Sequence, residues 1–153
     1  MSYFTGGIHA IASTLAAFYG ILYSCDGYEK GVTPINNYNC LSNPKDVHYK
    51  IVLFSATYLV YDFIIYFGLV GPKGNLARQT FVHHVVGATG MYITMYTKGV
   101  PVVFTVISLV IEASSFFVNL RWFTFEFKIK SLIWPVINSS LLFLSYFAFR
   151  IIF

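Results

Sequence analysis

The sequence predicts an all-α fold, an integral membrane bundle of about five transmembrane helices. Hydrophobic residues make up 57% of the 153-residue chain, whereas charged residues make up only 10%. A soluble domain carries roughly 25% charged residues, so this chain has too few to cover a water-facing surface. Its apolar residues fall into five stretches, and each is close to the roughly 20 residues that a helix needs to cross the hydrocarbon of a bilayer.

The five predicted spans belong to one membrane domain, residues 1–153. The first span contains no formal charge, and no Lys or Arg precedes Lys30, so we interpret it as a membrane span rather than a secretory signal peptide. A long polar loop separates it from the second span, whereas the later connections are short. The predicted boundaries are about 6–24, 51–70, 76–97, 102–122 and 131–153 for the spans, and 25–50 for the polar loop.

Short polar segments join the later spans. Gly71-Pro72-Lys73-Gly74-Asn75 has the composition of a turn, and Lys98-Gly99 with Pro101 makes a very short connection. Residues 123–130 are predicted to lie at the membrane interface. The net charge is +4, with ten Lys and Arg spread through loops and helix ends. That spread is typical of membrane anchors, so no nucleic-acid partner is predicted.

The two cysteines, Cys25 and Cys40, both lie in the polar loop. They form a disulfide if the loop faces an oxidising compartment; two free thiols are the alternative. No zinc site is predicted, because neither cysteine has a second ligand at the Cys-x-x-Cys spacing. If the loop does face the oxidising side, the N-terminus faces the cytosol or matrix.

Five ionisable residues stand inside the apolar stretches: His9, Asp62, His83, His84 and Glu112. A charged group at the centre of a bilayer costs roughly 2.5–3.5 kcal/mol on insertion scales, so each one needs a partner or a function. At helical spacing, each span carries one stripe of polar or small residues, and the simplest packing turns all these stripes inward. Asp62 or Glu112 could then pair with His83, His84 or His9.

Two interpretations of this polar set remain open. In one, the side chains line an intramembrane cavity that takes a lipid headgroup or acyl chain, where His83, His84 and Asp62 are the candidates for catalysis. In the other, they only hydrogen-bond the helices together. No metal site is predicted, because adjacent histidines point about 100° apart on a helix, and no cofactor is predicted. The predicted cavity residues are His9, Asp62, His83, His84, Glu112 and Asn119.

Four segments, taken in order, are similar to the motifs of a known family. They are Ile8-His9-Ala10, the Tyr58-to-Asp62 helix, the His-His helix Phe81 to Gly87, and the strongest, Glu112 to Trp122. Together they identify the chain as resembling the TLC-domain family, which includes translocation-associated membrane proteins, ceramide synthases and small lipid-associated members. The resemblance implies a helical membrane barrel or bundle around a lipid-accessible cavity.

For a ceramide synthase, the resemblance would imply acyl transfer from acyl-CoA to a sphingoid amine, centred on His83 and His84. Ceramide synthases carry a further His-Asp-x-x-Asp pattern, however, and the corresponding region of this chain, Val103 to Asn119, holds only Glu112. The chain also has five predicted spans where six or more are usual. It therefore resembles more closely the small members associated with lipid sensing and membrane composition.

Three functions follow from the sequence. The first is a non-catalytic protein that binds or senses membrane lipids. The second is an accessory subunit of a large membrane complex, with other membrane subunits as partners. The third is a ceramide-synthase-like acyltransferase that uses His83 or His84. The endoplasmic reticulum is the family's usual location, and the mitochondrial inner membrane suits the subunit hypothesis.

Overall fold

The computed structural model describes residues 2–71, 75–127, 133–148 and 151, and every regular element within these ranges is helical. The prediction of an all-α fold is therefore confirmed. In chain order the helices are α1 (Ser2–Tyr23), α2 (Tyr38–Ser42), α3 (Asp46–Phe63), α4 (Asn75–Thr97), α5 (Val100–Ser108), α6 (Ala113–Glu126) and α7 (Ile133–Phe147).

Two of these helices continue into turns of a different pitch. A π-helical segment, Ile64–Val70, extends α3, and a 3₁₀ segment, Leu109–Glu112, joins α5 to α6. Parts of three predicted segments lie outside the described residues: 72–74 of the turn, 128–130 of the interfacial segment, and 131–132, 149–150 and 152–153 of the fifth span.

Three continuous helices are long and apolar enough to cross a membrane. They are Phe4–Tyr23, Asp46–Leu69 and Val100–Thr124, of 20, 24 and 25 residues. The apolar helix Ile133–Phe147 is shorter over its described length. Helix α4 is long enough, but Gln79 and its two histidines make it more polar than these three.

By its internal contacts the chain divides into two compact units. One consists of Met1–Leu15 with Leu109–Phe153, and the other is Ala16–Ser108. We refer to them as the terminal unit and the central unit. Helix α1 therefore begins in the terminal unit and ends in the central unit.

In the central unit, α3 packs along α4, and α5 contacts both. Its core contains Val52, Val102, Val103 and Val106, none of which is exposed. The C-terminal part of α1 approaches this core at Gly20. A Cβ atom there would lie 2.9 Å from Ile51 Cδ1 and 3.2 Å from Val106 Cγ1. Glycine allows this close approach, as small residues do where membrane helices meet.

The terminal unit contains α6, α7 and the first part of α1. Helices α6 and α7 pack together, and the Asn138 side chain, 1% exposed, donates from Nδ2 to the Phe117 carbonyl at 3.2 Å. Helix α1 meets α6 through the rings of Phe4 and Phe123, whose centroids lie 6.4 Å apart. Both contacts join separate helices of this unit.

The polar loop is tied together by a disulfide between Cys25 and Cys40, whose Cα atoms are 5.7 Å apart. Asn37 caps α2, because its Oδ1 accepts hydrogen bonds from the backbone N–H groups of Asn39 and Cys40. The cap therefore fixes the backbone of one of the two bridged residues. Lys45 Nζ and Asp26 Oδ2 form an exposed ion pair at 2.7 Å, and such pairs add little stability.

Candidate functional site

The central polar contact of this chain joins α3 to α4. His84 Nε2 lies 2.9 Å from Asp62 Oδ2, and only 8% and 7% of the two side chains is exposed. Asp62 lies on the buried face of α3 one turn beyond Leu59, and an added Cβ at Gly87 of α4 would lie 3.0 Å from Leu59 Cδ1. Since Leu59 meets Gly87 while Asp62 meets His84, the two helices run antiparallel.

The backbone of α4 fixes the position of one proton on His84. Its Nδ1 lies 2.8 Å from the carbonyl oxygen of Thr80. A carbonyl only accepts hydrogen bonds, so Nδ1 carries a proton and donates it. The second nitrogen, Nε2, is then left to face Asp62.

The Asp62–His84 pair is therefore uncharged overall in either of two forms. One form is an imidazolium beside a carboxylate, and the other is a neutral imidazole that accepts a proton from the carboxylic acid. Both avoid an isolated charge among apolar helices, which is the costly arrangement. The sequence proposed several acid–imidazole pairs, and the structure contains this one.

His83 does not lie on the buried face of α4. The prediction that its stripe turns inward is wrong for His83, which is exposed while His84 is buried. The physical reason is that neighbouring residues on a helix point about 100° apart, so the face that places His84 against Asp62 turns His83 away. Gly90, seven residues further along the same face of α4, is also exposed, and an added Cβ there would meet nothing within 4 Å.

His83 instead lies in an open groove along the outer surface of α4. The groove has a volume of about 690 Å³. Its N-terminal end is polar and its other end is small or apolar, while one apolar and one polar side chain lie between them. Its lining residues are Arg78, Gln79, Val82, His83, Val86 and Gly87. Neither Asp62 nor His84 lines it, so the groove is separate from the buried pair.

Sequence reasoning missed His48, which the structure buries completely. Its Nδ1 accepts a hydrogen bond from the Lys45 N–H at 2.9 Å, while the His48 N–H donates to the Lys45 carbonyl. Its Nε2 lies 2.8 Å from Ser24 Oγ and 3.2 Å from the Gly20 carbonyl. Nε2 therefore carries the proton, and His48 is a neutral bridge between the end of α1 and the start of α3.

The other predicted cavity residues, His9, Glu112 and Asn119, lie in the terminal unit. His9 is buried, and its carbonyl accepts a hydrogen bond from Ser13 Oγ at 2.7 Å. Glu112, the last residue of the 3₁₀ segment, is half-buried. Asn119 donates to the Ser115 carbonyl at 2.8 Å and lines an apolar cleft of about 260 Å³ between α1 and α6. Because His83 is exposed, a single interior shared by all six residues is excluded, and one shared by the other five stays a prediction.

The model of the TLC domain matches residues 5–153 of this chain, which is nearly its whole length. The chain belongs to the TLC-domain family. It is accordingly an integral membrane protein with transmembrane helices, as the sequence predicted. No curated protein and no solved structure matches it.

The TLC-like motifs can now be placed on the helices. Tyr58 to Asp62 lies on α3, Phe81 to Gly87 lies on α4, and the segment from Glu112 to Trp122 enters α6 from the preceding 3₁₀ turn. The first two of these motifs meet through Asp62 and His84. Within the described residues, no three His, Cys, Asp or Glu side chains are grouped so that they could hold a metal ion.

Proposed function

We propose that this TLC-domain protein binds or senses membrane lipid without catalysing a reaction. The observation that carries the proposal is the pair of hydrogen bonds made by His84. One of its nitrogens donates to the Thr80 carbonyl, and the other is engaged with Asp62. One of the two imidazoles that the family resemblance would place at the centre of acyl transfer is thus committed to structural contacts.

A general base needs a nitrogen that can reach the proton of a substrate. For His84 to act in this way, it would have to give up its contact with Asp62. His83 is exposed, and within the described residues its side chain makes a ring contact with His84 but no hydrogen bond to a carboxylate. It therefore lacks the orienting acid that accompanies histidine bases. Both arguments support a non-catalytic role.

The surface of the chain supports the lipid-binding part of the proposal. Large apolar side chains are exposed on α1, α3, α4 and α7, as at Leu15, Leu53, Val86 and Phe143. Lipid tails cover such side chains in a membrane protein. The outer groove of α4 adds a place where polar groups and apolar side chains lie together, which is the chemistry of a lipid headgroup joined to its chains.

The disulfide supports an orientation for the chain in its membrane. Disulfides persist in oxidising compartments and are rare where thiols are kept reduced. We therefore place the loop between Cys25 and Cys40 on the oxidising side. The N-terminus then lies on the opposite side, because α1 crosses the bilayer once.

The proposal is tested with purified full-length protein in liposomes that contain a sphingoid amine, supplied with acyl-CoA. We expect no amide product by mass spectrometry, and we expect membrane lipid to remain bound after purification in mild detergent. Amide formation that disappears in a His83→Ala variant would establish the acyltransferase instead. Migration of the chain within a large assembly in mild detergent, without retained lipid, would favour the subunit hypothesis.

A further inference from the structure

We infer that the outer groove of α4 binds an anionic phospholipid, with the phosphate at Arg78 and the upper acyl chain along Val82 and Val86. The inference rests on the proposed lipid-binding function and adds to it the site and the class of lipid. Its volume of about 690 Å³ falls within the roughly 300–1,000 Å³ that is typical of ligand pockets.

The order of residues along the groove matches the order of groups in a phospholipid. Arg78 and Gln79 lie within the first turn and a half of α4. The ends of a transmembrane helix meet the headgroups, so we place these two residues at that level. Measured from Arg78, His83 follows about 7.5 Å deeper and Val86 about 12 Å deeper, at a rise of about 1.5 Å per residue. Among the described residues, the lining thus has its one cation at the shallow end and its aliphatic side chains, Val82 and Val86, at deeper levels, with His83 between them.

Arg78 supplies the charge that selects the ligand. A guanidinium presents several N–H donors in a planar fork that matches the oxygens of a phosphate. No carboxylate lines the groove, and Arg78 makes no ion pair within the described part of the chain. The positive charge is therefore available to a ligand. A lipid with a net negative headgroup is favoured over phosphatidylcholine, whose ammonium group is repelled by Arg78.

The apolar half of the groove distinguishes a phospholipid from a free phosphate ion as the ligand. Val86 is 64% exposed and Val82 is 51% exposed, so both present bare aliphatic surface beside the polar end. Free phosphate would contact only Arg78, Gln79 and His83. A phospholipid covers both halves, because its acyl chain packs along Val82 and Val86 while its phosphate meets Arg78.

The test uses the full-length chain reconstituted in vesicles of equimolar phosphatidylglycerol and phosphatidylcholine, then extracted in mild detergent for native mass spectrometry. We expect bound phosphatidylglycerol to exceed bound phosphatidylcholine. Arg78→Gln should lower that ratio roughly tenfold or more, since a hydrogen bond to a charged group contributes about one decade or more in affinity. Arg121→Gln, the same change at a residue of α6 that does not line the groove, should leave the ratio unchanged.

A second pair of variants tests the apolar half. Val86→Phe fills the groove, whereas Val85→Phe adds the same bulk to an exposed neighbour that does not line it. We expect only Val86→Phe to reduce retained phosphatidylglycerol. Because both side chains are exposed, neither change should prevent folding, and circular dichroism checks this.

Three results would overturn the inference: a bound ratio equal to that of the vesicles, equal losses in Arg78→Gln and Arg121→Gln, or a lipid-free dimer whose contact is lost on Val86→Phe. In the first two cases, retained lipid without selectivity would leave the proposed lipid-binding function standing. Wild-type protein that retains no lipid at all would refute both.

Discussion

The proton that Thr80 fixes on His84 leads to a prediction about two substitutions at the same site. With Nδ1 protonated, a neutral His84 presents the lone pair of Nε2 toward Asp62. In Asp62→Asn, the new amide has nearly the same shape and can donate an N–H to that lone pair. In Asp62→Leu, the side chain has a similar size but offers no hydrogen bond. The first variant should therefore be much more stable than the second.

The expected difference follows from the burial of the pair, of which only 8% and 7% of the side chains is exposed. Leaving a buried polar atom without its partner costs about 1–3 kcal/mol. Hydrogen bonds between membrane helices average about 0.6 kcal/mol and reach about 1.7 kcal/mol. We therefore expect Asp62→Leu to lose about 1–2 kcal/mol and Asp62→Asn less than about 1 kcal/mol. Breaking a buried ion pair costs about 3–5 kcal/mol when one charge is left without a partner. That loss does not apply here, because without Asp62 the His84 ring can be neutral, with a proton on Nδ1 only.

The assay is thermal unfolding of the detergent-solubilised chain, followed by circular dichroism. At about 2–4 °C per kcal/mol for a chain of this size, Asp62→Leu should lower Tm by about 2–8 °C. The control repeats both substitutions in a His84→Ala background. Without the imidazole, Asp62→Asn should no longer have a higher Tm than Asp62→Leu. If Asp62→Asn lowers Tm as much as Asp62→Leu in the presence of His84, the reasoning from the protonated Nδ1 is refuted.

Three further predictions concern the central unit, all measured as changes in Tm. His48→Phe keeps a ring but removes the bridge between α1 and α3, and should cost about 1–3 kcal/mol; an unchanged Tm would show that the bridge adds no stability. Replacing Cys25 and Cys40 by Ser should lower the free energy of unfolding by about 3 kcal/mol, which is the chain-entropy value for a loop closed across a separation of 15 residues. A reducing agent should lower the Tm of the wild type but not that of this variant. Gly20→Ala should destabilise the chain by about 1–3 kcal/mol, because the added Cβ would crowd the core. Gly90→Ala is the control, since an added Cβ there meets nothing within 4 Å, and it should be neutral or stabilising. Equal effects of the two substitutions would contradict the packing described for Gly20.

The class of fold could be predicted from composition because the bilayer imposes strong constraints on sequence. A chain with so few charges and such long apolar stretches must satisfy its backbone inside helices. The pitch of each helical turn was not predictable from composition. The 3₁₀ segment Leu109–Glu112 and the π-helical segment Ile64–Val70 lie within stretches that the sequence predicts to be continuous α-helix. Such changes of pitch depend on packing between helices, and composition does not report them.

The role of His48 shows a second limit of sequence reasoning. It stands in a stretch that composition assigns to a polar loop, and only the fold brings Ser24 and Gly20 to its ring. The two cysteines illustrate the converse. The chain has only two cysteines, so the sequence allows only one intramolecular disulfide. Whether that disulfide forms depends on how the loop folds.

By itself, the sequence determined that the chain is helical, resides in a membrane, and must supply a partner for any acid buried among apolar residues. The tertiary structure alone decided that the partner of Asp62 is His84 and that His83 faces outward into a groove. The physical reason is rotational. Apolar residues surround α4 on most sides, so its pattern does not fix which face turns toward α3, and adjacent side chains about 100° apart cannot share that face.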